Sequence, residues 1–185
     1  MATIRGGERS VLLVVDVQNG VMADAWDAPR IVGNVARVVE RARDTGVPVV
    51  WVQHNDEELL RDTEQWRLVP QLAPANDEPI VHKSFNSCFE DTTLDDELAK
   101  LGVTRIVLAG AATNWCIRAT AYGALERGYD ITLIEDAHTT ENVDLPDGHR
   151  VEAHDIVSEL NAVMKWVAYP DRTSTVVPTD DWDPT

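Results

Sequence analysis

The chain has 185 residues, 44% of them hydrophobic, which suffices to bury one substantial core and calls for no second one. Its formal charge of −16 at pH 7 argues against nucleic acid or an anionic membrane as partner, because phosphates would be repelled, and leaves a small-molecule ligand open. Two cysteines, Cys88 and Cys116, make no disulfide framework, residues 1–10 carry no apolar signal core, and no apolar run approaches a membrane span. A cytoplasmic protein with a single domain over residues 1–185 is therefore expected, with its core at about 10–177.

In chain order, residues 11–15 (Val-Leu-Leu-Val-Val) are a continuous apolar run ended by Asp16, the pattern of a strand buried on both faces of a parallel sheet. Ile31, Val32, Val35, Val38, Val39 and Ala42 then recur with helical period until Gly46, which suits a helix end, with Pro48 beyond it. A second strand is expected at 47–52. Residues 53–79 are irregular and acidic, with Trp66, Leu68 and several prolines, and predict a long excursion holding at most short helices. Excursions of that length in compact domains usually cover a site.

Residues 80–83 predict a short strand that runs out at Lys83. Leu94, Leu98 and Leu101 mark a helix that Thr92 or Thr93 can cap and Gly102 can end, and Asp95-Asp96-Glu97 is its solvated face. The apolar run 104–109 reads as another buried strand. It leads through Gly110-Ala111-Ala112-Thr113-Asn114-Trp115-Cys116 into a helix-patterned segment with Ile117, Ala121, Ala124 and Leu125. Residues 131–134 predict a strand stopping at Glu135-Asp136, Ile156, Leu160, Val163, Met164 and Val167 the stripe of a late helix, and 174–177 a final strand. From about Pro178 the chain reads as a polar tail.

Strands alternating with helices imply a mostly parallel sheet covered on both sides, since parallel neighbours need right-handed crossovers. Asp16, Lys83 and Cys116 each fall at or just beyond the carboxyl end of a predicted strand, the edge where such sheets bind ligands. Their chemistry is complementary: a carboxylate can take a thiol proton, an ammonium can stabilise a thiolate, and a thiolate can attack a carbonyl carbon. Cys116 stands where strand turns into helix, so unpaired amides and the helix dipole favour its ionised form.

Three motifs resemble those of the isochorismatase-like cysteine hydrolases, which include nicotinamidases, carbamoylsarcosine amidohydrolases and ureidoacrylate amidohydrolases. They are Val15-Asp16-Val17-Gln18-Asn19; Lys83 with Ser87, Phe89, Thr92 and Leu94; and the glycine-to-cysteine stretch ending at Cys116, similar to the family's Gly-x-x-Thr-x-x-Cys. The resemblance implies a three-layer α/β/α, Rossmann-like fold with a six-stranded, mostly parallel sheet. It also implies a catalytic triad of Asp16, Lys83 and Cys116, a cis peptide joining Ala111 to Ala112, an oxyanion hole from the amides of Ala112 and Cys116, and a homo-oligomer, dimer or tetramer. The implied reaction is hydrolysis of a small amide or carbamoyl compound through a thioester.

Beside this stand plainer readings. Cys88 reads as a small buried hydrophobe. Gln18 can line the pocket or brace the turn, Phe89 packs with some pocket exposure, and Trp115, next to the nucleophile, is the better candidate for substrate contact. Nicotinamidases of the family carry Asp-x-His and a further His after the second strand, whereas this chain has Val52-Gln53-His54 followed by carboxylates, so no metal or other cofactor is expected. His54 reads as a pocket-rim or structural residue, and His138 as bonding backbone or approaching the site. Two other functions remain: vinyl ether hydrolysis of isochorismate, whose family members generally lack the cysteine, and a non-catalytic binding or assembly role. Small amides, ureido compounds and amide-bearing antibiotics such as streptothricin all remain possible substrates.

Overall fold

A computed structural model of the protein describes residues 9–184. Its strands are β1 (Ser10–Val15), β2 (Val49–His54), β3 (Ile80–Lys83), β4 (Arg105–Ala111), β5 (Asp130–Thr139), β6 (Val143–Asp144), β7 (Arg150–Val151) and β8 (Ser174–Val177). The helices are α1 (Asn19–Met22), α2 (Ala28–Thr45), α3 (Leu94–Leu101), α4 (Arg118–Glu126) and α5 (Ala153–Trp166). Six strands form one parallel sheet in the order β3-β2-β1-β4-β5-β8, and β6 and β7 pair as a separate antiparallel hairpin. The chain builds outward from β1 in one direction, then returns to lay β4 against the other side of β1. That reversal opens a crevice at the carboxyl ends of β1 and β4.

Successive strand residues point to opposite faces, and the apolar ones sort accordingly. Val11, Leu13 and Val15 of β1 join α3, α4 and α5 in one core through Leu98, Ala121, Leu160 and their neighbours. Leu12 and Val14 join a second core with Ile31, Val35 and Val38 of α2. This second face has a single long helix, so other segments complete its cover: Val69 and Leu72 from the excursion and Trp182 from the C-terminal segment. At about 25 cal/mol per Å² of apolar area buried, these two cores supply the main drive to fold.

Most predicted elements are present, and there are four differences. Strand β2 begins at Val49 rather than residue 47, because Val47 N–H is spent on Ala42 O, closing α2 with Gly46 in the left-handed region (φ 74°), and Pro48 has no N–H. Strand β5 does not stop at Glu135-Asp136. Its register against β4 slips between the pairs Leu108–Leu133 and Gly110–His138, and it continues through buried Ala137, His138 and Thr139. The β6–β7 hairpin has no counterpart in the sequence reading. Finally, the expected polar tail is docked: Thr179 and Trp182 are buried, Arg41 donates to Thr179 O (2.7 Å) and Trp182 O (2.8 Å), and Asp136 Oδ1 accepts from Thr179 N and Oγ1.

The segment between β2 and β3 holds turns and no helix. It is tied to the end of β1 by Asn19 N→Arg67 O (2.9 Å), Gly20 N→Gln65 O (2.8 Å) and Val69 N→Val17 O (3.1 Å). No helix among the described residues is long and apolar enough to cross a membrane.

Candidate active site

Neighbouring strands lie about 4.8 Å apart, so Lys83 on β3 starts about 10 Å from β1, with β2 in between. Its long side chain closes the gap. Lys83 Nζ lies 2.6 Å from Asp16 Oδ2, 3.1 Å from Cys116 Sγ and 3.2 Å from His54 Nδ1. Thus the three N–H bonds of one ammonium have three neighbouring acceptors. All three triad candidates are buried, Asp16 and Lys83 almost completely and Cys116 with 8% of its surface exposed. Asp16 sits in the left-handed region (φ 51°), which aspartate tolerates better than most residues, and its N–H bonds to Val52 O (3.0 Å), fixing the end of β1 to β2.

The cysteine loop is shaped by its glycine. A Cβ on Gly110 would stand 2.0 Å from Val15 O, so β4 approaches β1 more closely than any side chain permits. The Ala111–Ala112 peptide is cis. Thr113–Ile117 forms a π-helical turn in which Trp115 N and Ile117 N both donate to Ala112 O (3.1 Å each), and α4 follows directly. Cys116 therefore lies in the opening turn of a helical stretch, where amides lack intrahelical acceptors and partial positive charge collects.

Burial raises the proton affinity of Cys116, the Asp16 charge raises it further, and the nearby Lys83 opposes them, leaving the thiol at about 12. Burial likewise raises Asp16, against the pull of Lys83. For Lys83, burial works against the charge, but Asp16 and then Cys116 outweigh it and hold the amine above the ordinary lysine value. The ammonium is thus a favoured charge beside the thiol and the carboxylate. Cys88, fully buried, is pushed up by burial and by the Asp16 charge.

His138 behaves differently from either expectation. It bonds two side chains, with Nδ1 2.9 Å from Thr113 Oγ1 and Nε2 3.0 Å from Asn161 Oδ1, while Asn161 Nδ2 donates to Glu135 O (3.0 Å). Since the Asn161 oxygen accepts, His138 Nε2 carries the ring proton and Nδ1 receives the Thr113 hydroxyl. Burial lowers its pKa to about 4, with the Asn161 bond opposing. The neutral ring anchors the cysteine loop to α5 through Thr113.

Of the residues expected at the substrate, Gln18 is fully buried with its amide spent on backbone: Nε2 donates to His54 O (3.0 Å) and Trp66 O (2.8 Å), and Oε1 accepts from His54 N (2.8 Å). It braces the turn and offers the pocket nothing. Phe89 is also buried, stacked on Tyr129 at 6.2 Å with the Arg127 guanidinium over its ring, so it is a packing residue. Trp115 is 53% exposed beside the largely buried Cys116. His54 comes closer to the triad than the sequence suggested, because its strand lies between those of Asp16 and Lys83, a neighbourhood that no local pattern encodes. A metal does not fit here: both His54 nitrogens are engaged, one by an ammonium, and Val52 stands where an Asp-x-His pair would need its carboxylate. No group of three or more His, Cys, Asp or Glu among the described residues is arranged to hold an ion.

A profile of the Isochorismatase domain matches residues 10–166. The chain belongs to the isochorismatase family. It is 35% identical to streptothricin hydrolase of Streptomyces noursei over 74% of this chain and 57% of that protein, so it spans little more than half that relative's length. It is 30% identical to a protein of Arabidopsis thaliana described as a probable inactive nicotinamidase, over 85% of this chain and 94% of that one. Among solved structures, a putative isochorismatase of Burkholderia xenovorans superposes with a TM-score of 0.85 at 28% identity, covering 96% of this chain and 86% of the other. The parallel sheet flanked by helices is thus the architecture of a hydrolase family.

Proposed function

We propose that this isochorismatase-family chain is a cysteine hydrolase that cleaves the C–N bond of a small amide, carbamoyl or ureido compound through a thioester. The observation that carries this proposal is one buried ammonium, Lys83, in contact with both a carboxylate (Asp16, 2.6 Å) and a thiol (Cys116, 3.1 Å). A base, a nucleophile and a fixed cation then share one site from which water is largely excluded.

Asp16 takes the Cys116 proton, and the sulfur forms a bond to the carbonyl carbon as the C=O electron pair moves onto oxygen. The amides of Ala112 and Cys116 receive that oxyanion. Removing one such donor costs about 2.7–4 kcal/mol of barrier in other enzymes. Collapse re-forms C=O and breaks the C–N bond, and Asp16 gives its proton to the departing nitrogen. Water then attacks the thioester, Asp16 takes a proton from it and passes it to sulfur, and the acid leaves. Lys83 stays an ammonium throughout, because Asp16 and Cys116 raise its proton affinity. Burial of Asp16 raises its proton affinity above that of an ordinary carboxylate, which suits a group that must accept and return one proton.

Relatives named nicotinamidase and ureidoacrylate amidohydrolase support C–N substrates, and the exposed ring of Trp115 is the surface offered to them. The test is release of ammonia or amine across a panel of small amides and carbamoyl compounds, with Cys116→Ala as the blank. Wild type should turn over at least one compound and the variant none above background; full turnover by Cys116→Ala refutes the nucleophile. Pyruvate released from isochorismate would point to the vinyl ether reaction instead.

A further inference from the structure

Lys83 Nζ donates to Cys116 Sγ (3.1 Å), forms an ion pair with Asp16 Oδ2 (2.6 Å), and faces His54 Nδ1 at 3.2 Å. An ammonium has no lone pair, so Nδ1 is the acceptor and the ring proton sits on Nε2. That nitrogen lies 3.0 Å from Asp56 Oδ2, which accepts it. Asp56 is itself fixed, since its Oδ1 accepts from Glu58 N (2.9 Å) and Leu59 N (2.7 Å). The His54 backbone is clamped on both sides by the Gln18 amide. The branch therefore runs from the half-exposed Asp56 inward to the buried ammonium, and every link has a donor facing an acceptor.

We infer that Asp56 and His54 are positioning residues: Asp56 sets the His54 tautomer, and His54 holds the third N–H of Lys83 so that the other two stay aimed at Asp16 and Cys116. A primary ammonium is otherwise a free rotor, and a buried donor left without an acceptor is costly enough to turn it. The role in turnover rests on the cysteine chemistry proposed above. The effect on the Lys83–Cys116 pair is readable without substrate.

Asp56→Asn is the decisive variant. Its Oδ1 still serves the Glu58 and Leu59 amides, and an NH2 replaces the oxygen facing Nε2; flipping the amide would set that NH2 against two backbone donors. Nε2 must then accept, the proton moves to Nδ1, and a ring N–H faces the Lys83 ammonium. His54→Asn, by contrast, places a carboxamide oxygen near the position of Nδ1 and has no ring tautomer to set.

The rate of Cys116 alkylation by iodoacetamide, read by peptide mass, should fall about ten- to a hundredfold in Asp56→Asn, the range for one unsatisfied buried donor. On an amide that wild type hydrolyses, kcat should fall by a similar factor while KM stays near its wild-type value. In the His54→Asn background, Asp56→Asn should add nothing to the alkylation rate. Alkylation of Asp56→Asn at the wild-type rate, or equal slowing with His54→Asn present, overturns the inference. If wild type hydrolyses none of the amides while the alkylation pattern holds, the amide proposal falls and the positioning role stands.

Discussion

Gly110→Ala is the substitution whose cost the geometry sets most directly. At Gly110 φ is 124°, and a Cβ built there lies 2.0 Å from Val15 O and 2.8 Å from both Val15 C and Val15 N. Real Cβ atoms essentially never come within 3.0 Å of a heavy atom outside their own chain neighbours, so β4 and β1 must part by at least about 1 Å at the Val15–Gly110 pair. The residue that follows β1 is Asp16, and its contact with Lys83 is 2.6 Å, so the shift acts on the proposed base. Misplacement of a reacting group by about 1 Å costs about a hundredfold in rate. Overpacking adds about 1–3 kcal/mol and the strained φ about 1–3 more, a large part of the roughly 5–15 kcal/mol that stabilises a domain. Urea denaturation followed by tryptophan fluorescence reads the stability, and Cys116 alkylation reads the site. A Gly110→Ala protein with the wild-type urea midpoint and the wild-type alkylation rate refutes the reasoning.

Two further predictions concern acid stability. Burial lowers His138 from 6.5 to about 4, and at 1.36 kcal/mol per pH unit that interval amounts to about 3 kcal/mol. The unfolded chain takes this proton first, so the contribution is complete above pH 6.5 and is lost as pH falls towards about 4; ring NMR should show neutral His138 at pH 5, and a midpoint near 6.5 would sink the assignment. Glu78 accepts from Arg43 Nε and Arg43 Nη2 (2.8 Å each), Trp51 Nε1 (2.7 Å) and Ala75 N (2.8 Å). Burial alone would raise it, but Arg43, Ala75 and Trp51 hold it at about 2, so its stabilisation is present above pH 4.5 and fades as pH falls towards 2. Glu78→Ala leaves the indole N–H of fully buried Trp51 without its acceptor and should cost about 2–4 kcal/mol in urea unfolding; a loss under about 0.5 kcal/mol would show that water takes over the bond.

Local chemistry carried a large share of the architecture. The run 11–15, the helical spacing from Ile31 to Ala42, and Gly46 and Gly102 as helix stops are properties of neighbouring residues, and they appear as β1, α2 and two left-handed helix ends. What misled was polarity without context. Glu135-Asp136 looked like a strand end, yet β5 runs past it because Asp136 is satisfied by Thr179 and His138 by Thr113 and Asn161. Gln18, a motif residue, could line the pocket or brace the turn, and Phe89 read as packing with some pocket exposure; in the structure Gln18 braces the turn and Phe89 packs on Tyr129. Their roles follow from which groups face them across the fold, and these lie dozens of residues away.

By itself, the sequence determined that an acid, an amine and a thiol stand at strand ends of a parallel α/β protein, because apolar runs and breakers mark those ends wherever the strands are finally placed. Only the tertiary structure decided that they touch. The strand order sets β3 two places from β1 and so requires a side chain as long as that of Lys83; it inserts His54 between them, and the contact of Gly110 with Val15 sets how near the thiol's strand comes to the carboxylate's. These are long-range facts of pairing, settled when both faces of the sheet are covered and the polar groups inside have found their partners.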